Sequence, residues 1–101
     1  MKVNFNQPFK NYKGEVIIED NGAPQLIKNV VSALLFSGKW LEKKANAKPE
    51  EKVMAYDLSI RIYKATDEME LNIEEAAMIK EAAAFLNPGG YVQVINLIEG
   101  K

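Results

Sequence analysis

The densest group of hard-metal ligands in this chain is the acidic run Asp67, Glu68, Glu70, Glu74 and Glu75. Read as a calcium loop beginning at Asp67, it puts Met69, Leu71 and Met78 where that loop needs oxygen ligands, and Asn72 where it needs glycine. Glu74 and Glu75 are better read as following Asn72 in a helix capping box, with Glu75 reaching back to the cap. No metal and no cofactor is expected.

Trp40 stands with Lys43 and Lys44 inside the lysine-rich stretch KWLEKKANAK, residues 39–48. A ring among ammonium groups can stack on a base while the lysines meet phosphates. The rival reading folds Trp40 over a core and leaves the lysines to solvate a loop. Arginine is missing here, Glu42 intervenes and the protein is acidic overall, so the structural reading is preferred and nucleic acid is not the expected partner. Tyr56 and Tyr63 lie on either side of Ile60 with Arg61 adjacent. They can line a pocket, but the reading preferred is core rings with their hydroxyls at the rim. Gly89-Gly90 has neither the further glycines of the phosphate-loop and dinucleotide patterns nor the Lys-Ser/Thr pair of the first. It reads as a turn or cap.

Histidine and cysteine are both absent. That excludes, within one chain, a histidine general base, a Ser-His-Asp triad, a histidine-ligated metal, a disulfide and thiolate chemistry. The chain therefore reads as a non-enzyme. Its 48% apolar and 27% charged residues are those of a globular chain. Its 101 residues suit a single domain, 1–101, with one modest core. No apolar run is long enough to span a bilayer. The polar start MKVNFNQPFKNYKGE predicts no secretory signal, so a cytoplasmic site of action is expected and no membrane partner.

Charge is unevenly spread. Residues 1–48 carry eight lysines against four acids, and residues 49–101 carry five bases against ten acids. Such a split favours self-association or a charged partner unless the fold interleaves the halves, which is the expectation preferred.

These side chains need elements to position them. Pro49 to Ala65 is expected to be the central helix. Val53, Tyr56, Ile60 and Tyr63 form one apolar stripe and Met54, Leu58 and Ile62 another, which predicts neighbours on more than one side. Asp57 and Arg61 make an i,i+4 pair. Lys2–Phe5 and Glu15–Glu19 read as two strands of an antiparallel hairpin, with Phe9 and Tyr12 as anchors around the turn at Lys13-Gly14. Pro24 is placed in the first turn of a helix whose buried side is Leu26, Ile27, Val30, Val31, Leu34 and Leu35. Lys28, Asn29 and Ser32 face away, and Ser37-Gly38 ends it. Met69–Leu71 is available as a third short strand. From Asn72 a helix runs to about Leu86, burying Ile73, Ala76, Ala77, Ile79, Ala83 and Leu86. Residues 91–99 suit helix or strand, and the Asn87 cap with Pro88 decides for helix. No internal repeat is apparent. The fold class expected is α+β: an N-terminal β-hairpin, with or without the third strand, packed on about four helices.

Several spacings together resemble a known group. Phe9-Lys10 followed by Gly14, Tyr56-Asp57-Leu58 with Ile62-Tyr63, Glu70-Leu71, Glu74-Glu75, Ile79-Lys80, and a terminal segment with Pro88, Val92, Gln93 and Leu97 resemble small proteins of tailed bacteriophages and prophages. The matched residues are core and capping positions, so the resemblance carries no catalytic residues. It implies virion assembly, control of host machinery or countering host defence, inside a bacterial cell or in the virion. The function expected first is a homo-oligomeric protein-interaction module of that type. The alternatives are a small-ligand or nucleotide-sequestering binder using Trp40, Lys43, Lys44, Tyr56, Arg61 and Tyr63, and a nucleic-acid-binding regulator using the lysine loop.

Overall fold

The computed structural model describes residues 1–101. In chain order the elements are β1 (Lys2–Val3), α1 (Ile27–Ser37), α2 (Lys39–Glu42), α3 (Pro49–Lys64), β2 (Met69–Glu70), α4 (Ile73–Ala83) and α5 (Pro88–Glu99). Five helices and one two-stranded antiparallel sheet make this an α+β fold in which helices dominate. The strand partner of Lys2–Val3 is Met69–Glu70 rather than Glu15–Glu19. Two more bonds from the first residue fasten this sheet: the Met1 ammonium donates to the Leu71 carbonyl at 3.0 Å, and the Leu71 N–H donates to the Met1 carbonyl at 2.8 Å.

Helix α1 holds the core together. It packs along α3 on one side and against α4 on another, and α5 closes on α4. Ile27, Val31 and Leu35 of α1 are buried with Leu58 and Ile62 of α3, Ile79 and Ala82 of α4, and Val94 of α5. Small residues permit the close approach: Ala55 and Ser59 on α3, and Ala76, Ala82 and Ala83 on α4, are all buried. Ile73 and Ala77 of α4, expected inside, are exposed, and the helix stops at Ala83 with Leu86 half-buried beyond it. Asn72 caps α4 as expected. Its side chain accepts from the Glu75 N–H at 2.7 Å, and the Glu75 carboxylate accepts from the Asn72 N–H at 2.9 Å. Residues 88–99 are helix, with Asn87 accepting from the Gly90 N–H.

Helix α1 has no side-chain cap, because other backbone does that work. The Ile27 N–H donates to the Gln7 carbonyl and the Lys28 N–H to the Phe5 carbonyl, at 2.8 and 2.9 Å, so two donors that a helix start leaves open are satisfied. Pro24 accordingly is not in the helix. It sits in a β-bridge with Ile18, two residues before the N-cap Leu26.

Residues 8–26 are not half of a hairpin but a closed triangle of three short segments. The Phe9 N–H donates to Gln25, Gln25 donates to Ile17, and Ile17 donates back to Phe9, each bond 2.9 Å long. Two similar corners join the three segments. The Asn11 N–H donates to the Glu15 carbonyl and the Glu19 N–H to the Ala23 carbonyl, both at 2.8 Å. Each corner turns on a glycine with positive φ, Gly14 at +81° and Gly22 at +86°, a conformation costly for other residues. Residues 9–16 and 17–24 are thus a structural repeat, although their side chains share little beyond that glycine. Phe9 points into the core, but Tyr12, expected as a second anchor, is 93% exposed at the first corner. Helix α5 secures the triangle through Gln93. Its Oε1 accepts from the Lys10 N–H at 2.8 Å and its Nε2 donates to the Lys10 carbonyl at 2.9 Å.

Candidate interaction surface

The structure separates the residues that sequence placed together. Trp40 and Leu41 are buried in the single turn of α2, where a loop was expected. Trp40 is only 4% exposed, and its indole N–H has no partner. Neither ring face is open for stacking. Lys44 is held between the Glu51 and Glu81 carboxylates at 2.7 and 3.2 Å, and the hydrogen bonds it donates to Glu51 first and Glu81 second raise its pKa. Lys43 lies over the Phe85 ring, 5.6 Å from its centre. A cleft of about 610 Å³ lined by Leu41, Lys44 and Lys52 lies nearby, and the carboxylate-bearing Glu42 lines it too.

Arg61 does not join the tyrosines either. Its guanidinium donates to the carboxylates of Glu75 and Asp57 and lies 3.5 Å from the Glu70 carbonyl. It therefore ties α3 to α4 and to β2. Burial raises the Glu75 carboxyl, but the Arg61 hydrogen bond, the Asn72 N–H and the Arg61 charge together lower it below 4.5. The acidic run does not converge: no group of three or more Asp or Glu side chains could hold a metal ion.

What the fold does assemble is apolar. The stripe Val53, Tyr56, Ile60 and Tyr63, expected in the core, lies on the outside of α3. Val53 is 69%, Tyr56 56% and Tyr63 60% exposed. The reason is the width of the neighbour. Helix α3 buries Ala55, Leu58, Ser59 and Ile62, chiefly against α1, its main partner, and leaves the other stripe outside. Phe36 of α1, 65% exposed, extends the surface and packs its ring on Tyr56 with centroids 5.8 Å apart. Between α1 and α3 runs a groove of about 690 Å³ lined by Ala33, Phe36, Ile60 and Tyr63, with Ser32 and Ser59 at its floor. Ser59 donates to the Tyr56 carbonyl at 2.7 Å. Ser32, expected on the outer face, is buried, and its hydroxyl has no partner. The Lys28 ammonium lies over the Tyr63 ring, 5.6 Å from its centre.

One sequence signal marked the residues of this surface, although it was read as core. Positions 53, 56, 60 and 63 repeat at the 3-4-3 spacing of a helix–helix seam, and that spacing was legible. Phe36 and Ser32 were not, because Phe36 lies just off the buried stripe of α1 and serine carries no periodic signal.

No family model, curated protein or solved structure matches this chain. No helix is long and apolar enough to cross a membrane.

Proposed function

We propose that this chain is a non-enzymatic protein-interaction module that works as a homo-oligomer, of the phage or prophage type its spacings resemble, in assembly or in contact with host machinery within a bacterial cytoplasm. The observation that carries the reading is the exposed seam of α3 with Phe36 of α1. Five large apolar side chains gathered on one face, two of them with their rings in contact, make an apolar patch of the size that marks interaction sites on protein surfaces. Tyrosine and phenylalanine are also the side chains that dominate the centres of interfaces. The absence of histidine and cysteine, and the engagement of Lys44 and Arg61 by carboxylates, support a binding role over a catalytic one.

Native mass spectrometry of the purified chain tests this. An oligomer of defined size that Phe36→Glu or Tyr63→Glu converts to a folded monomer supports it. A strictly monomeric protein at every accessible concentration would sink it. Extra mass of small-molecule size at each subunit, with the chain monomeric, would transfer the case to a ligand-binding role.

A further inference from the structure

We infer that the oligomer is a closed dimer in which α3 of one copy lies antiparallel against α3 of the second across a two-fold axis near Asp57 and Leu58. This rests on the self-association proposed above and adds its geometry. The first argument is area. Three rings of about 150–250 Å² each, all more than half exposed, together with Val53, Ile60 and Ala33 offer about 400–600 Å² of apolar surface. A standard interface takes about 800 Å² from each partner, somewhat over half of it apolar. The seam therefore supplies the apolar share of one interface, with the polar rim making up the rest.

The second argument is charge. Glu50, Asp57 and Lys64 recur every seventh residue of α3, so helical spacing lines them along one edge of the seam. Asp57 is already paired with Arg61 at 3.3 Å. Glu50 and Lys64 have no ion-pair partner within the chain, and they stand about 21 Å apart by helical rise, too far to meet each other. An antiparallel partner brings its Lys64 to Glu50 and its Glu50 to Lys64, closing both pairs at once. The midpoint of that exchange is residue 57, and the midpoint of the apolar stripe from Val53 to Tyr63 is residue 58. Charge and apolar registers agree to within one residue. A parallel arrangement about a two-fold axis would put the two charged edges on opposite sides of the seam and close neither pair.

The third argument is closure. A surface that meets its own copy about a two-fold axis uses itself up, giving a dimer and no larger array. The unpartnered Ser32 hydroxyl at the groove floor lies within that covered surface.

The experiment is a charge exchange read by sedimentation equilibrium at low salt. Glu50→Lys alone and Lys64→Glu alone each set like charges together twice per dimer, and should weaken it by about threefold to tenfold. The double variant E50K/K64E restores the pairing and should return the wild-type affinity, while Tyr56→Glu should leave a folded monomer by circular dichroism. A dimer whose single variants are not rescued by the double variant overturns the antiparallel arrangement and leaves the interaction module standing. A wild-type chain that stays monomeric overturns both.

Discussion

At the scale of single residues, Trp40 and Glu75 show how the same fold treats an apolar ring and a charge. Trp40 was a candidate for base stacking, and its burial makes it a wedge between α2 and the core instead. Trp40→Ala should lower unfolding free energy by about 3–5 kcal/mol, as loss of a buried large ring does. Trp40→Phe should cost much less, because it keeps a buried aromatic ring while removing an indole N–H left without a partner, whose desolvation is worth about 1–3 kcal/mol. Urea denaturation of the two variants checks the order; equal losses would mean that a phenyl ring does not fill the site. Glu75 is different, because its charge is the point. The Glu75 carboxyl titrates lower in the fold than in the unfolded chain, so its contribution is fully present above pH 4.5 and is lost as pH falls through the depressed value. Glu75→Gln keeps the capping geometry but removes the charge facing Arg61. It should cost about 1–2 kcal/mol at neutral pH, and the gap from wild type should shrink on acidification below 4.5. A gap that does not change with pH would assign the loss to packing.

At the scale of elements, the helices were legible and the N-terminal segment was not. The stop of α1 at Gly38, the capping box of α4 and the proline-led starts of α3 and α5 follow from residues whose preferences are local. The triangle of residues 8–26 has no such signature. Its closing bonds are backbone bonds between Phe9, Ile17 and Gln25, three residues with nothing in common as side chains, and a strand-like run such as Glu15–Glu19 says nothing of which backbone it will meet. The same limit applies to α3. Both apolar stripes were visible, but which one stays outside depends on how much of the helix α1 is wide enough to cover. The triangle yields its own prediction. Gly14→Ala and Gly22→Ala have open space for a methyl group, so each should cost only the backbone strain, about 1–2 kcal/mol. Gln93→Leu, which removes both bonds to Lys10, should speed amide exchange across residues 9–25 while leaving α3 and α4 protected. Uniform loss of protection across the chain would show that the triangle is no separate unit.

At the scale of the whole molecule, charge and apolar surface are arranged differently. The halves of the sequence carry opposite net charge, and Lys44 bridges them by meeting Glu51 and Glu81. The apolar surplus is not neutralised in that way, and it gathers along α3 and Phe36. If self-association covers it, stability is linked to concentration by mass action. The melting temperature should rise with protein concentration over a hundredfold range for the wild type and stay flat for Tyr56→Glu. A flat wild-type series would separate the seam from any assembly.

The triangle also limits how other proteins can address this chain. A sheet usually ends in a strand with one row of unpaired amides, and an extended peptide can join it by adding a strand. Here Phe9, Ile17 and Gln25 each spend their N–H on the next segment of the ring, and the Lys10 amide group is taken by Gln93. There is no open rung at these positions for a foreign backbone. Recognition of this protein at those positions is therefore read from side chains, and so can be specific to them in a way that strand addition is not.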